Sequence, residues 1–155
     1  MKRTVSLLLT LVLLLTLCGC GQKGSAPSWQ EQYDLGVRYL SDGNYEEAII
    51  AFTAAIEIAP KRAEAYAGRG DAYLGQGAAD EYLSAAFNDF ETALSLDDTN
   101  ADAYLGMAEV YIARKQFDAA MEILRQGVEK TGDQRLTDRL AELEDGNIAD
   151  YWGRT

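Results

Sequence analysis

The sequence predicts an all-α chain: a solenoid of three stacked helical hairpins closed by one further helix. Three observations carry that expectation. From Trp29 onward the chain is self-similar with a period of about 34 residues. Within each copy, small and aromatic residues fall three and four apart, the spacing that places side chains on one face of a helix. One hairpin cannot bury its own apolar face, whereas about three stacked copies can. Three copies are present.

The elements before the repeats concern location. The chain opens MKRTVSLLLTLVLLLTLCGC, with Lys2 and Arg3 ahead of an apolar run over 5–17. A bilayer-spanning helix needs about 20 apolar residues, and a run of about 10–14 is typical of the core of an export signal. Residues 1–19 therefore read as such a signal. The small-residue A-x-A cleavage pattern is absent, and Leu17-Cys18-Gly19-Cys20 stands there instead. This resembles a bacterial lipobox. The resemblance implies that Cys20 receives a diacylglycerol thioether, becomes the first residue after cleavage, and anchors the protein to the extracytoplasmic face of a bacterial membrane. Cys18 fits poorly, because Leu17 would have to take the small position. Other roles for the two cysteines meet obstacles. A metal site lacks ligands, since there is no histidine and no further cysteine. A C-x-C disulfide sits at the edge of the allowed geometry, and a redox pair has a different spacing. An uncleaved signal anchor is the remaining alternative.

Residues 20–28 comprise Cys20 and the Gly/Ser/Pro-rich stretch GQKGSAPS, a flexible linker. Eight such residues span about 16 Å, which keeps the folded part close to the bilayer. The net charge of the whole chain is −11. Losing Lys2 and Arg3 with the leader takes it to −13. Such an acidic domain is repelled by phosphate backbones and anionic lipid, which argues against nucleic-acid binding and leaves membrane attachment to the acyl chains.

The copies occupy 29–62, 63–100 and 101–134. Tyr39, Tyr73 and Tyr111 mark their first helices. Ala48, Phe52 and Ala55 mark the second helix of the first copy; Ala86, Phe90 and Ala93 follow in the second, and Ala120, Leu124 and Gly127 in the third. Gly36 would let the two helices of a hairpin approach closely, and Pro60 would end the second helix. This pattern resembles the tetratricopeptide repeat (TPR), which implies a right-handed α-solenoid built from A and B helices. Two departures stand out. The second copy carries four extra residues between Gly75 and Leu83 (GQGAADEYL), read as an added turn at the start of helix B or a longer A–B loop. A partner-specific protrusion carrying Tyr82 is the sharper alternative. Asp98 and Gly132 stand where the first copy has Pro60. Residues 135–155 form the close. A capping helix near 133–145 has Leu136, Leu140 and Leu143 on one stripe, and Gly146 is placed for a left-handed C-cap. In the tail, Tyr151 and Trp152 either fold back on the end of the stack or dock a partner.

Catalytic chemistry is not identifiable. The chain has no histidine, no G-x-S-x-G elbow and no Gly-rich phosphate loop. Asp98, Asn100, Asp102 and Glu109 imitate a calcium loop, but Ala103 replaces the required glycine, and Asn100 or Asp102 has an ordinary task as a helix cap. No catalytic residue, metal or cofactor is expected.

The TPR resemblance implies a ligand groove on the concave face, lined by the A helices. Carried over position by position, that face holds Gln30, Tyr33, Val37 and Leu40, then Glu64, Ala67, Asp71 and Leu74, then Asp102, Leu105, Glu109 and Ile112. TPR modules that grip a terminal carboxylate use Lys, Arg and Asn there. Tyr33, Val37, Ala67 and Asp71 stand in their place, so the resemblance does not extend to that clamp. An apolar floor with four carboxylates suits a basic, partly apolar protein segment; an acidic face serving only solubility is the alternative. The sequence thus predicts a non-enzymatic, membrane-anchored TPR lipoprotein for protein interaction or complex assembly at the cell envelope. The rival is a structural accessory subunit of an envelope enzyme or secretion complex with no groove function.

Overall fold

The computed structural model describes residues 26–145. Residues 1–25, with the expected export signal, Cys18 and Cys20, and residues 146–155, with Gly146, Tyr151 and Trp152, lie outside the described residues. Seven α-helices and no strands occur among those described: α1 Trp29–Ser41, α2 Tyr45–Ile58, α3 Ala63–Gln76, α4 Asp80–Leu96, α5 Ala101–Ala113, α6 Phe117–Thr131 and α7 Gln134–Glu144. None of them is long and apolar enough to cross a membrane.

Local signals set the helix ends. Ser28 caps α1 in a reciprocal capping box, its hydroxyl accepting from Glu31 N at 3.2 Å while the Glu31 carboxylate accepts from Ser28 N at 2.7 Å. Asn100 caps α5 by accepting from Ala103 N at 2.9 Å, and Asp133 caps α7 by accepting from Arg135 N at 2.8 Å. Helix α2 stops just before Pro60. Helix α6 stops at Gly132, which adopts the left-handed conformation with φ 65°.

The four extra residues of the second copy lengthen helices and leave the loop unchanged. All three A–B loops are three residues long (42–44, 77–79 and 114–116). Helix α4 has 17 residues against 14 in α2 and 15 in α6, and α3 has 14 against 13 in α1. The insertion is thus mostly a turn at the start of α4. Adding helix keeps every inserted backbone group hydrogen-bonded, which a longer loop would not.

Each helix packs on the next in sequence. In addition α1 touches α3, α3 touches α5, and α5 touches α7, whereas α2, α4 and α6 do not touch one another. The odd-numbered helices therefore lie on the inside of the curve, and the even-numbered ones splay apart on the outside.

The reason for that closeness is atomic. Phe52 of α2 is fully buried and faces two glycines. A methyl group on Gly36 of α1 would sit 2.7 Å from Phe52 Cδ1, and one on Gly68 of α3 would sit 2.6 Å from Phe52 Cζ. Phe90 of α4 is likewise fully buried between Gly70 of α3 and Gly106 of α5. The third copy solves the same problem with other volumes: Leu124 is the buried side chain and Ala108 takes the place of the glycine. A smaller knob leaves room for the extra methyl group.

One charged pair is set inside this frame. Arg69 of α3 forks onto Asp89 of α4, with both N–O distances 2.8 Å, and donates to Thr53 Oγ1 of α2 at 3.1 Å. Asp89 is the one buried charged residue among those described. The pair ties three helices of two hairpins together.

Two outcomes are expected. Gly70→Ala lowers stability by about 1–3 kcal/mol through overpacking against Phe90, and Phe90→Leu lowers it through lost burial. The double variant costs less than the sum, because it rebuilds the Leu–Ala pairing of the third copy; additive losses in thermal unfolding would refute this account. Asp89→Ala strands the Arg69 guanidinium and costs about 3 kcal/mol by denaturant titration.

Candidate functional site: the concave groove

The inner helices enclose a cavity of about 190 Å³, lined by Tyr33, Val37 and Leu40 of α1, Glu64, Ala67, Gly68 and Asp71 of α3, Phe52 of α2, and Asn100 and Asp102 at the start of α5. It lies where α1, α3 and α5 converge. The glycine at 68 that admits Phe52 also lines this cavity, so the packing of the core and the shape of the site have a common origin.

The wall on the α1 side is fixed by a ring stack. Trp29 and Tyr33 stack with centroids 4.8 Å apart, Tyr33 meets Phe52 edge-on at 5.7 Å, and the Arg62 guanidinium caps Trp29 at 3.8 Å from the ring centre. Residues 29 and 33 are one helical turn apart, so this i,i+4 aromatic pair was readable in the sequence. The part played by Arg62, far along the chain, was not.

Asp71 is the exceptional group. No hydrogen-bond donor among the described residues reaches its carboxylate. Burial, and secondarily the charge of Asp102, push its pKa up to about 7. Burial raises the Tyr33 hydroxyl too, with the charges of Glu64, Asp102, Asp34 and Asp71 adding to the effect. Both shifts have burial as their first cause, with nearby carboxylates adding to it.

The sequence placed Tyr33, Val37, Leu40, Ala67 and Asp71 on one face, and the structure brings these five around the cavity. Leu74, Leu105, Glu109 and Ile112 lie elsewhere. Leu74 packs against the central apolar cluster, and Leu105 and Ile112 against the one next to it, so all three carry structural burial. Glu109 is held by Arg139 of α7 in a fork of 2.7 and 3.1 Å, and Asp102 accepts from Arg135 of α7 at 2.8 Å. The capping helix thus takes up two of the four carboxylates expected in the groove, leaving Glu64 and Asp71. This pairing was not foreseen, because α7 was read only for its leucine stripe. The imitation calcium loop is dispersed in the same way: Asp98 pairs with Lys130 at 2.7 Å, Asn100 caps α5, and Glu109 bonds Arg139.

A curved stack of helical hairpins with an inner groove is a repeat scaffold for binding. Residues 36–77 match the TPR repeat family and residues 83–143 the tetratricopeptide repeat family. The chain carries tetratricopeptide repeats. It is 31% identical over 99 residues to Hsp70-Hsp90 organizing protein 2 of Arabidopsis thaliana, and 32% identical over 98 residues to Hsp70-Hsp90 organizing protein 1 of Glycine max. These matches take in 64% and 63% of this chain but only 17% and 16% of the relatives. The fold is similar to the Sgt2 TPR domain of Aspergillus fumigatus, with TM-score 0.69 and 20% identity over 87% of this chain and 91% of that one. It is also similar to the first TPR of Spaghetti (RPAP3) bound to the HSP90 peptide SRMEEVD, with TM-score 0.68 and 19% identity over 78% of this chain and 96% of that one. The TPR2B domain of yeast Sti1, solved with an Hsp70 peptide, gives TM-score 0.67 and 22% identity over 76% and 96%.

The Asp71 shift has a definite sign in stability. Folding raises the pKa from its ordinary 3.8 to about 7, so between those pH values the folded protein binds more protons than the unfolded chain. The contribution is fully present below about pH 4 and is lost as pH rises through about 7. Asp71→Asn is expected to melt at least about 4 °C above wild type at pH 8 and close to it at pH 4. Equal melting curves at pH 8 would show that Asp71 is solvated like a surface acid.

Proposed function

We propose that this chain is an exported, lipid-anchored TPR protein that holds a basic segment of a partner protein in its concave groove and acts by binding, without catalysis. The observation that carries this reading is the Asp71 carboxylate, unpaired and half-buried beside the apolar walls formed by Val37, Leu40 and Ala67. The structurally similar domain bound to the HSP90 peptide SRMEEVD binds a peptide with three acidic residues. Glu64 and Asp71 would repel such a peptide, so the partner here carries the opposite sign. Support for the anchor comes from the leader and the lipobox-like placing of Cys20. On this reading the groove operates within a short tether length of the outer face of a bacterial membrane.

A second reading has one observation in its favour. Leu35, Tyr39 and Ile50 form an open apolar patch on the first hairpin, with Ile50 69% exposed. A subunit docked on that patch would make the protein a structural component of a larger envelope assembly, with the groove idle.

In-cell photo-crosslinking separates the two. A photoreactive residue at Val37, which is 43% exposed and lines the cavity, is expected to capture one protein. Asp71→Lys is expected to reduce that capture at least about tenfold, and Cys20→Ser to abolish it by releasing the anchor. Capture from Ile50 alone, insensitive to Asp71→Lys, would establish the subunit reading instead.

A further inference from the structure

The inference here rests on the peptide-binding reading above and narrows it to one side chain. Helices α3 and α5 are equivalent elements of successive repeats, beginning at Ala63 and Ala101. In that register Glu64 corresponds to Asp102, and Asp71 to Glu109. On α5 both acids are bound by arginines of the next inner helix: Arg135 donates to Asp102 at 2.8 Å, and Arg139 forks onto Glu109 at 2.7 and 3.1 Å. On α3 the same two positions lie beside the start of α5, where, counted from the helix starts, the residues equivalent to Arg135 and Arg139 are Asp102 and Gly106. Neither can donate from its side chain. One repeat along, the molecule shows what a carboxylate at this place in the groove binds, and at Asp71 that partner is missing.

We propose that the cavity between α1, α3 and α5 receives an arginine side chain of the bound protein segment, its guanidinium on Asp71 and its stem along Val37, Leu40 and Ala67. Geometry and charge support the choice of ligand. The cavity, about 190 Å³, takes a side chain and excludes a folded element. Among the described residues no group of three or more His, Cys, Asp or Glu side chains could hold a metal ion. A carboxylate this buried gains most from a planar fork with two aligned N–H donors, which an ammonium group cannot offer. The Tyr33 ring, held in place by Trp29, lines the same cavity and supplies a π surface for the guanidinium.

The free protein keeps Asp71 half-protonated near neutral pH. The groups facing it are Tyr33 from α1, Glu64 on α3 itself and Asp102 from α5, whose charge is offset by Arg135 of α7. An incoming guanidinium displaces the proton, so affinity rises with pH. With a midpoint at about 7 the ionised fraction, and hence the association constant, grows about tenfold between pH 6 and pH 8.

The test uses the full chain and two probes, Nα-acetyl-L-arginine amide and its uncharged isostere Nα-acetyl-L-citrulline amide. Binding is followed by NMR at the Gly68 and Tyr33 amides. The expected result is saturable binding of the arginine probe, at least about fivefold weaker binding of the citrulline probe, and tightening from pH 6 to pH 8. Asp71→Asn should abolish both the preference and the pH dependence, and Glu64→Gln, at an exposed position, should weaken the arginine probe without removing its preference. Equal binding of the two probes, arginine binding unchanged in folded Asp71→Asn, or no saturable shift with either probe would overturn the proposal. The crosslink from Val37 keeps the two levels apart: if it persists undiminished in Asp71→Asn, the groove reading stands and the arginine anchor falls.

Discussion

The structure depends on an aromatic ring held between two glycines. Phe52 lies against Gly36 and Gly68, and Phe90 against Gly70 and Gly106, so each ring joins its own hairpin to the next through backbone with no side chain in the way. The inner helices are thereby drawn into contact while the outer ones are left apart. Curvature follows from this packing, and the groove follows from the curvature.

Charge in this protein is divided between groups that are matched within the fold and groups that are not. Asp89 is buried and forked by Arg69, which also reaches Thr53, so its desolvation is offset by directed hydrogen bonds. Asp102 and Glu109 are matched by the capping helix, which does more than shield an apolar end: it brings two guanidinium groups across the last inner helix. Exposed pairs such as Lys130–Asp98 and Arg125–Glu144 contribute little, since solvent screens them. Asp71 stands apart. Burial, and secondarily the charge of Asp102, raise its pKa, and no cation among the described residues offsets this.

The resemblance to TPR domains with bound chaperone peptides extends to shape and stops short of sign. The inner face here carries the carboxylates of Glu64 and Asp71 beside its cavity. The fold comes from glycines and aromatic rings facing the core, which leave the inner-face side chains free to differ.

The sequence by itself determined the helical hairpins, their number and the residues that would meet. Alanines and aromatics at intervals of three and four are a local pattern, and a local pattern suffices when each repeat contacts only its neighbours. Tyr33, Val37, Leu40, Ala67 and Asp71 are placed on one face by the resemblance to TPR modules, whose A helices line the groove. What only the tertiary structure decided was pairing across long separations. The forks of Arg139 on Glu109 and Arg69 on Asp89 join residues 30 and 20 positions apart, and nothing in a periodic pattern says which charge will find which. Burial had the same character. Asp71 and Glu109 are equivalent acids in successive repeats, yet one is left in a cavity and the other is bound, because the inner helix that follows supplies Arg139 in one case and no cationic side chain in the other.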